Sequence, residues 1–229
     1  MQKKTYEITK GTLSLIDAEH SIQEAWDLPT LEEGKAIKEK GEEGHVERAY
    51  LKKGDKIHGE SLLYHPSGEV KGRSFYKEGV LHGPSQFFSK EGALLSSTWF
   101  YKGAPIGEAK QYYLSGKVYA ELYYKNGNLH GEQSYFYQDG MEKSKIPYQE
   151  GVLHGTVRLF HPDGTVKREC SYHLGRKQGQ EKIISAEGII LDEGIYLEGK
   201  AIGIHFKRHL NGQVKEEKRH LDEIGRAHV

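Results

Sequence analysis

The stretch Tyr76-Lys77-Glu78-Gly79-Val80-Leu81-His82-Gly83-Pro84-Ser85-Gln86-Phe87-Phe88-Ser89-Lys90-Glu91-Gly92 decides the fold, because each of its glycines belongs to a column. Gly83 recurs as Gly59, Gly107, Gly131, Gly155, Gly179 and Gly203, a step of 24 residues with no insertion. Gly92 keeps that step through Gly68, Gly116, Gly140, Gly164, Gly188 and Gly212, and Gly79 keeps it from Gly103 to Gly199. An aromatic column, Tyr76, Phe100, Tyr124, Tyr148, Tyr172 and Tyr196, lies in phase with them. Columns that hold phase this long mark a tandem repeat. In such an array each unit touches mainly its neighbours, so chain length measures extent rather than core size.

After Gly59 comes a short segment, Glu60 to His65, and then a turn that ends in glycine. Asp139-Gly140, Asp163-Gly164 and Asn211-Gly212 at this place are strong hairpin signals, since glycine takes the positive φ that closes the turn. Each unit therefore reads as a β-hairpin. Its second strand alternates: Val118, Ala120, Leu122 and Tyr124 share one face, and Lys117, Tyr119, Glu121 and Tyr123 the other. The first face is expected to be buried, with the small residues Gly72, Ser96, Ala120 and Ser144 at its middle level. Glycines four apart, as Gly79 and Gly83, suggest a second and wider turn that leads to the next hairpin.

These readings predict an all-β protein: an elongated, open antiparallel sheet of tandem 24-residue hairpins that advances by about 10 Å per unit. Gly59, Gly68, Gly83, Gly92, Gly107, Gly116, Gly131, Gly140, Gly155, Gly164, Gly179 and Gly188 are its expected structural turn glycines. The array occupies residues 50–220, and residues 221–229 form an edge cap or a frayed end. Residues 1–49 admit two readings. Leu15, Ala18, Ile22, Ala25 and Trp26 form a helical stripe, with Ser14 as cap and Pro29 as stop. Alternatively, stepping back through the period gives Gly44 and Gly11, the trace of two degenerate repeats.

Composition narrows the function. Only 36% of the 229 residues are hydrophobic, yet there are 15 tyrosines and 28 glycines, which suits a thin, half-solvated sheet. Lys plus Arg balance Asp plus Glu at 33 each, so overall charge gives no reason to expect a nucleic-acid partner. The lone Cys170 has no partner for a disulfide within the chain, and no Cys/His spacing suits zinc. A reducing, cytoplasmic setting is expected. The N-terminal region shows no Sec-type apolar run and no segment approaches a membrane span; export by another route stays open.

The pattern Tyr-x-x-Gly-x-x-x-Gly, with an aromatic five residues on and a glycine four after that, resembles the MORN repeat. It is carried by Tyr76, Gly79, Gly83, Phe88 and Gly92; by Tyr124, Gly127, Gly131, Phe136 and Gly140; and by Tyr148, Gly151, Gly155, Phe160 and Gly164. It is most similar to the variant form found in the YwqK-type antitoxin family of bacterial proteins, over about residues 50–220. The resemblance implies an open sheet used for binding or scaffolding, with toxin neutralisation as one such role. Departures come late, where Ile184 and Arg208 replace the mid-hairpin aromatic and His220 the tyrosine.

No residue set points to catalysis, a metal or a cofactor. His58, His82, His130 and His154 form a column, but equivalent positions lie about 10 Å apart, whereas two nitrogens on one zinc are at most about 4 Å apart. Turn histidines that bond to local backbone are expected. Glu60, Glu108 and Glu132 are too far apart for paired-carboxylate chemistry and read as a solvated edge. Cys170 falls in an inward column and reads as a buried, inert thiol.

The second face carries Phe75, Trp99 and Tyr123 in one column, with Tyr119 and Leu95 beside it. Either a capping segment near Trp26 covers them, or Phe75, Trp99, Tyr119 and Tyr123 form an aromatic patch for a protein partner. The expected function is a non-catalytic protein-interaction or scaffolding module. Peripheral membrane binding is the less favoured alternative, because basic and acidic residues are interleaved except near Lys207 to Arg219. The sequence does not set the oligomeric state.

Overall fold

A computed structural model describes residues 5–9, 12–16 and 21–25 as backbone, and 28–220 with side chains. Three short strands, β1 (Thr5–Thr9), β2 (Thr12–Ile16) and β3 (Ser21–Ala25), form an antiparallel sheet of their own. The helical alternative for this region therefore does not hold: two of its stripe residues, Leu15 and Ile22, are strand partners. Alternation at Thr12–Ile16 already offers a two-residue period, and sheet pairing outweighs a stripe of only five apolar residues. Trp26 and residues 221–229 lie outside the described residues.

The rest of the chain parts into two compact units, residues up to Gly116 with Tyr124–Gly127, and Lys117–Tyr123 with the residues from Asn128 on. The first unit continues with β4 (Ile37–Lys40), β5 (Val46–Lys53), β6 (Lys56–Tyr64), β7 (Val70–Lys77), β8 (Val80–Phe88), β9 (Leu94–Tyr101) and β10 (Ala104–Tyr112). β11 (Val118–Lys125) lies mostly in the second unit. It is followed there by β12 (Asn128–Leu129), β13 (Gly131–Phe136), β14 (Glu142–Gln149), β15 (Val152–Leu153) and β16 (Gly155–Phe160). Then come β17 (Val166–His173), β18 (Arg176–Ile184), β19 (Ile190–Leu197), β20 (Lys200–Arg208) and β21 (Val214–His220). Within each unit the pairing is antiparallel, and among the described residues β4 pairs with β5 and β21 with β20. No helix occurs among the described residues.

Two kinds of turn build each hairpin. The first closes His65 to Gly68: the Gly68 amide donates to the His65 carbonyl at 2.9 Å, and the His65 amide donates to Glu69 at 2.9 Å. Gly68 has φ 101°, so this is a type I turn closed by a left-handed glycine, and it recurs as far as His209–Gly212. The second is a two-residue turn, Glu78-Gly79, with φ of 52° and 86° and with Lys77 paired to Val80. Positive φ at both central residues is the type I′ geometry that matches strand twist.

That turn is tighter than the glycine spacing suggests, and Gly83 is not part of it. Tyr76 pairs with Leu81 and Ser74 with Ser85, so His82, Gly83 and Pro84 stand opposite Phe75 alone. Gly83, at φ 109°, is the bend in a β-bulge of three residues against one within β8. Gly59, Gly107, Gly131, Gly155 and Gly179 hold the same place and are bulge glycines, while Gly68, Gly92, Gly116, Gly140, Gly164 and Gly188 are the turn glycines. A bulge and a turn both recruit glycine for positive φ, so spacing alone does not separate them.

The buried side chains lie mainly on the expected face. Ser61, Ser85, Ala109, Gln133 and Glu181 are buried at successive 24-residue steps or multiples of them, and Ala120, Leu122 and Cys170 are buried on the paired strands. Gln133 is fully buried because it replaces backbone pairing where β12 and β13 part. Its Oε1 accepts the Tyr123 amide at 2.7 Å, and its Nε2 donates to the carbonyls of His130 and Gly131 at 3.0 and 2.9 Å.

Candidate functional site

Three members of the histidine column are tied to backbone, while the Nδ1 of the fourth, His154, is buried with no hydrogen-bond partner. Nδ1 of His58, His82 and His130 each accepts a backbone amide of the following type I′ turn, from Glu78, Lys102 and Glu150, at 3.4 Å. Gln178 Oε1 does the same for Glu198 at 3.1 Å. Among the described residues no group of three or more His, Cys, Asp or Glu side chains is placed to hold a metal ion. Near the last strands His205 and His220 lie with ring centroids 4.5 Å apart beside a shallow polar cleft of about 230 Å³ that Asp192, Tyr196 and Glu216 also line.

Cys170 is buried at 2% exposure, and burial, with the Glu181 charge beside it, raises its pKa above the usual thiol range. Its register partner Glu181 accepts from Arg168 Nε at 2.9 Å and Lys177 Nζ at 2.6 Å. Burial pushes the Glu181 carboxyl up, but its bonds to Lys177 and Arg168 outweigh burial and hold it below the usual carboxylate range.

The opposite face carries the candidate site. By the 24-residue step Leu51, Phe75, Trp99 and Tyr123 form one column, with Glu60 directly opposite Phe75. A segment of the chain lies over the start of this column. The Glu60 amide donates to the Pro29 carbonyl at 2.9 Å, and the Leu31 amide donates to Glu60 Oε2 at 2.8 Å. The Pro29 ring sits where a Gly59 side chain would project, 2.8 Å from the position of its Cβ, and Gly34 sits on the Leu51 side chain in the same way. Leu28, Leu51 and Glu60 are buried, and Phe75 is only 9% exposed.

Phe75 therefore drops out of the expected patch, and Glu60 is not a solvated edge: its carboxylate is buried and paired with Arg73 at 2.5 Å. Glu60 is covered by the Leu28–Gly34 segment, whose Pro29 reads in sequence only as a helix stop. The leucine-proline-threonine-leucine run was the available signal. Trp99 is half-buried and stands in register between Pro84 and Ile106. Tyr119 is not beside Tyr123 as an outer-face neighbour; its ring meets Tyr135 edge-on at 6.0 Å. Strand alternation assigned it to the outer face, but it holds the place of Lys71, the extra residue of the small bulge that follows the His65–Gly68 turn. Tyr123 is half-buried.

The carboxylates of the other bulges are more exposed. Glu108 pairs with Lys110 at 3.2 Å. Glu132 pairs loosely with Lys145 at 3.8 Å, while Lys145 is held by Glu142 at 2.9 Å, the bond that chiefly raises its pKa.

Hairpins of one length, stacked by bonds between successive turns, with a framework that repeats and a surface that does not, define a β-hairpin repeat protein. A family model described as a MORN repeat variant matches residues 57–78, 105–126, 129–150 and 153–173, so the protein is built on MORN-variant repeats. No curated protein matches the chain by sequence. Among solved structures, the crystal structure of a GtfA/B complex bound to UDP and GlcNAc is similar at 16% identity and a TM-score of 0.22. That similarity covers 49% of this chain and 22% of the other.

Proposed function

We propose that the protein is a non-catalytic module that binds a protein partner on the face carrying Trp99, in a cytoplasmic setting suited to its single buried thiol. One observation carries this reading: the same face already holds a peptide segment, Leu28–Gly34, through backbone amides, a carboxylate and apolar contacts. The framework side chains, in contrast, are taken up by bonds between units. The variable face is what remains for recognition. Toxin neutralisation is the finer form of this reading and follows from the family resemblance.

The test is to recover partners from the host by affinity purification, purify the main one and titrate it against the isolated chain. A stoichiometric complex, weakened by about 2 kcal/mol on Trp99→Ala without loss of fold, supports the proposal. Retention on anionic vesicles at physiological salt with no protein complex would replace it with the membrane alternative. Growth rescue on co-expression with a toxic partner tests the antitoxin form.

A further inference from the structure

The seat that holds Leu28–Gly34 is repeated three 24-residue steps later, in the second unit. There Gly131 and Glu132 stand in the places of Gly59 and Glu60, and Tyr123 and Pro147 in those of Leu51 and Phe75. Lys145 takes the place of Arg73, and the pairing is the same: Glu60 lies opposite Phe75, and Glu132 opposite Pro147. Even the cation is retained, as Glu60–Arg73 at 2.5 Å and Glu132–Lys145 at 3.8 Å.

What differs is occupancy. A Cβ on Gly59 would run into the Pro29 ring and carbonyl, while one on Gly131 would meet nothing within 4 Å. Glu60 has 3% of its side chain exposed and Glu132 48%. The later bulges lack part of the pattern. Gly155 is partly covered by Pro147 and is followed by Thr156; Gly179 is followed by Gln180, and Gly203 by Ile204.

Building on the protein-binding reading above, we propose that Tyr123, Gly131, Glu132 and Pro147 form a seat for a proline-containing apolar segment of a partner protein. The chemistry is that of Leu28-Pro29-Thr30-Leu31. The partner's proline ring lies over Gly131, where the lack of a side chain leaves room. Its carbonyl accepts the Glu132 amide, and the amide two residues on donates to the Glu132 carboxylate, a charge-assisted bond stronger than a neutral one. Tyr123 and Pro147, in the places of Leu51 and Phe75, flank the segment as apolar walls.

The probe is a synthetic peptide copying residues 28–34, with a fluorophore at its end and a photoreactive benzophenone side chain in place of the residue after proline, titrated against the full chain. Saturable binding, cross-links confined to residues 123–148, and a loss of about tenfold or more in affinity on Glu132→Ala are expected. The melting temperature of Glu132→Ala should match that of the wild type, which separates lost recognition from lost fold. Absence of saturable binding, cross-links to residues 49–75 through exchange with the chain's own segment, or unchanged affinity of Glu132→Ala would each overturn the assignment. So would a peptide-free dimer abolished by Glu132→Ala, since the occupant would then be a second copy of this chain. If the peptide fails while a purified partner still binds, this inference falls and the protein-binding function stands; if no protein partner binds at all, that function falls as well.

Discussion

Nδ1 of His82 accepts the backbone amide of Lys102, twenty residues ahead, at 3.4 Å, and so ties one hairpin to the turn of the next. His82 is 4% exposed, and Lys102 has φ 50°, a left-handed conformation that a residue with a Cβ holds only at some cost. His82→Ala should therefore destabilise the protein by about 1–3 kcal/mol, through the unsatisfied amide and the space left behind. His82→Gln should recover much of that loss, because Gln178 performs the same task for Glu198 at 3.1 Å. Chemical denaturation of the two variants checks this; equal losses would mean that volume, not the bond, is what matters.

Acid should weaken the second unit through Glu181. Its folded-state pKa is depressed, so its contribution is complete above the ordinary glutamate range and is lost as pH falls through the lower, folded value. Glu181→Gln should lose about 2–3 kcal/mol near neutral pH, less than a fully buried pair because Arg168 and Lys177 remain partly solvated, and should lose part of the wild-type acid sensitivity. Denaturant midpoints measured from neutral pH down to below the usual glutamate range would show it. A parallel pH dependence in variant and wild type would contradict the assignment.

Gly131→Val and Glu132→Ala should separate strain from rim electrostatics. Gly131 has φ 72° and open space around it, so the cost of valine is conformational rather than a clash, about 1–3 kcal/mol. Glu132→Ala should stay within about 0.5 kcal/mol. Equal melting temperatures would show that the bulge tolerates a side chain at Gly131.

Cys170 should be slow to react with a thiol reagent in the folded protein. It is 2% exposed and its pKa is raised, chiefly by burial, so little thiolate is present at neutral pH. Labelling that accelerates in step with denaturation of the second unit is the expected result, read by mass spectrometry. Rapid native-state labelling would mean that β17 and β18 open locally.

The twofold alternation of Val118 to Tyr124 named the buried face correctly, and Ala120 and Leu122 are indeed its interior. The same rule misplaced Tyr119, because one extra residue at a bulge shifts the side-chain alternation around it. The histidine column was legible as backbone-bonding because a fixed step forbids a shared metal. The amide partners of His58, His82 and His130, in the next hairpin's turn, were visible only once the strands were stacked, and His154 Nδ1 is buried without such a partner.

The sequence by itself determined the repeat, its period, the hairpin and the MORN-type pattern, since each of these rests on local chemistry: positive φ for glycine, alternation for strands, and a spacing that recurs. Tertiary structure decided which glycines bend strands and which close turns, because both uses demand the same backbone angle. It also decided that Phe75 and Glu60 are covered while Glu132 is exposed. Those residues occupy equivalent columns with similar neighbours, and what separates them is a segment, Leu28–Gly34, that folds back from outside the period onto one seat. A periodic pattern records what every unit shares, and long-range contact with a non-repeating segment is what it leaves out.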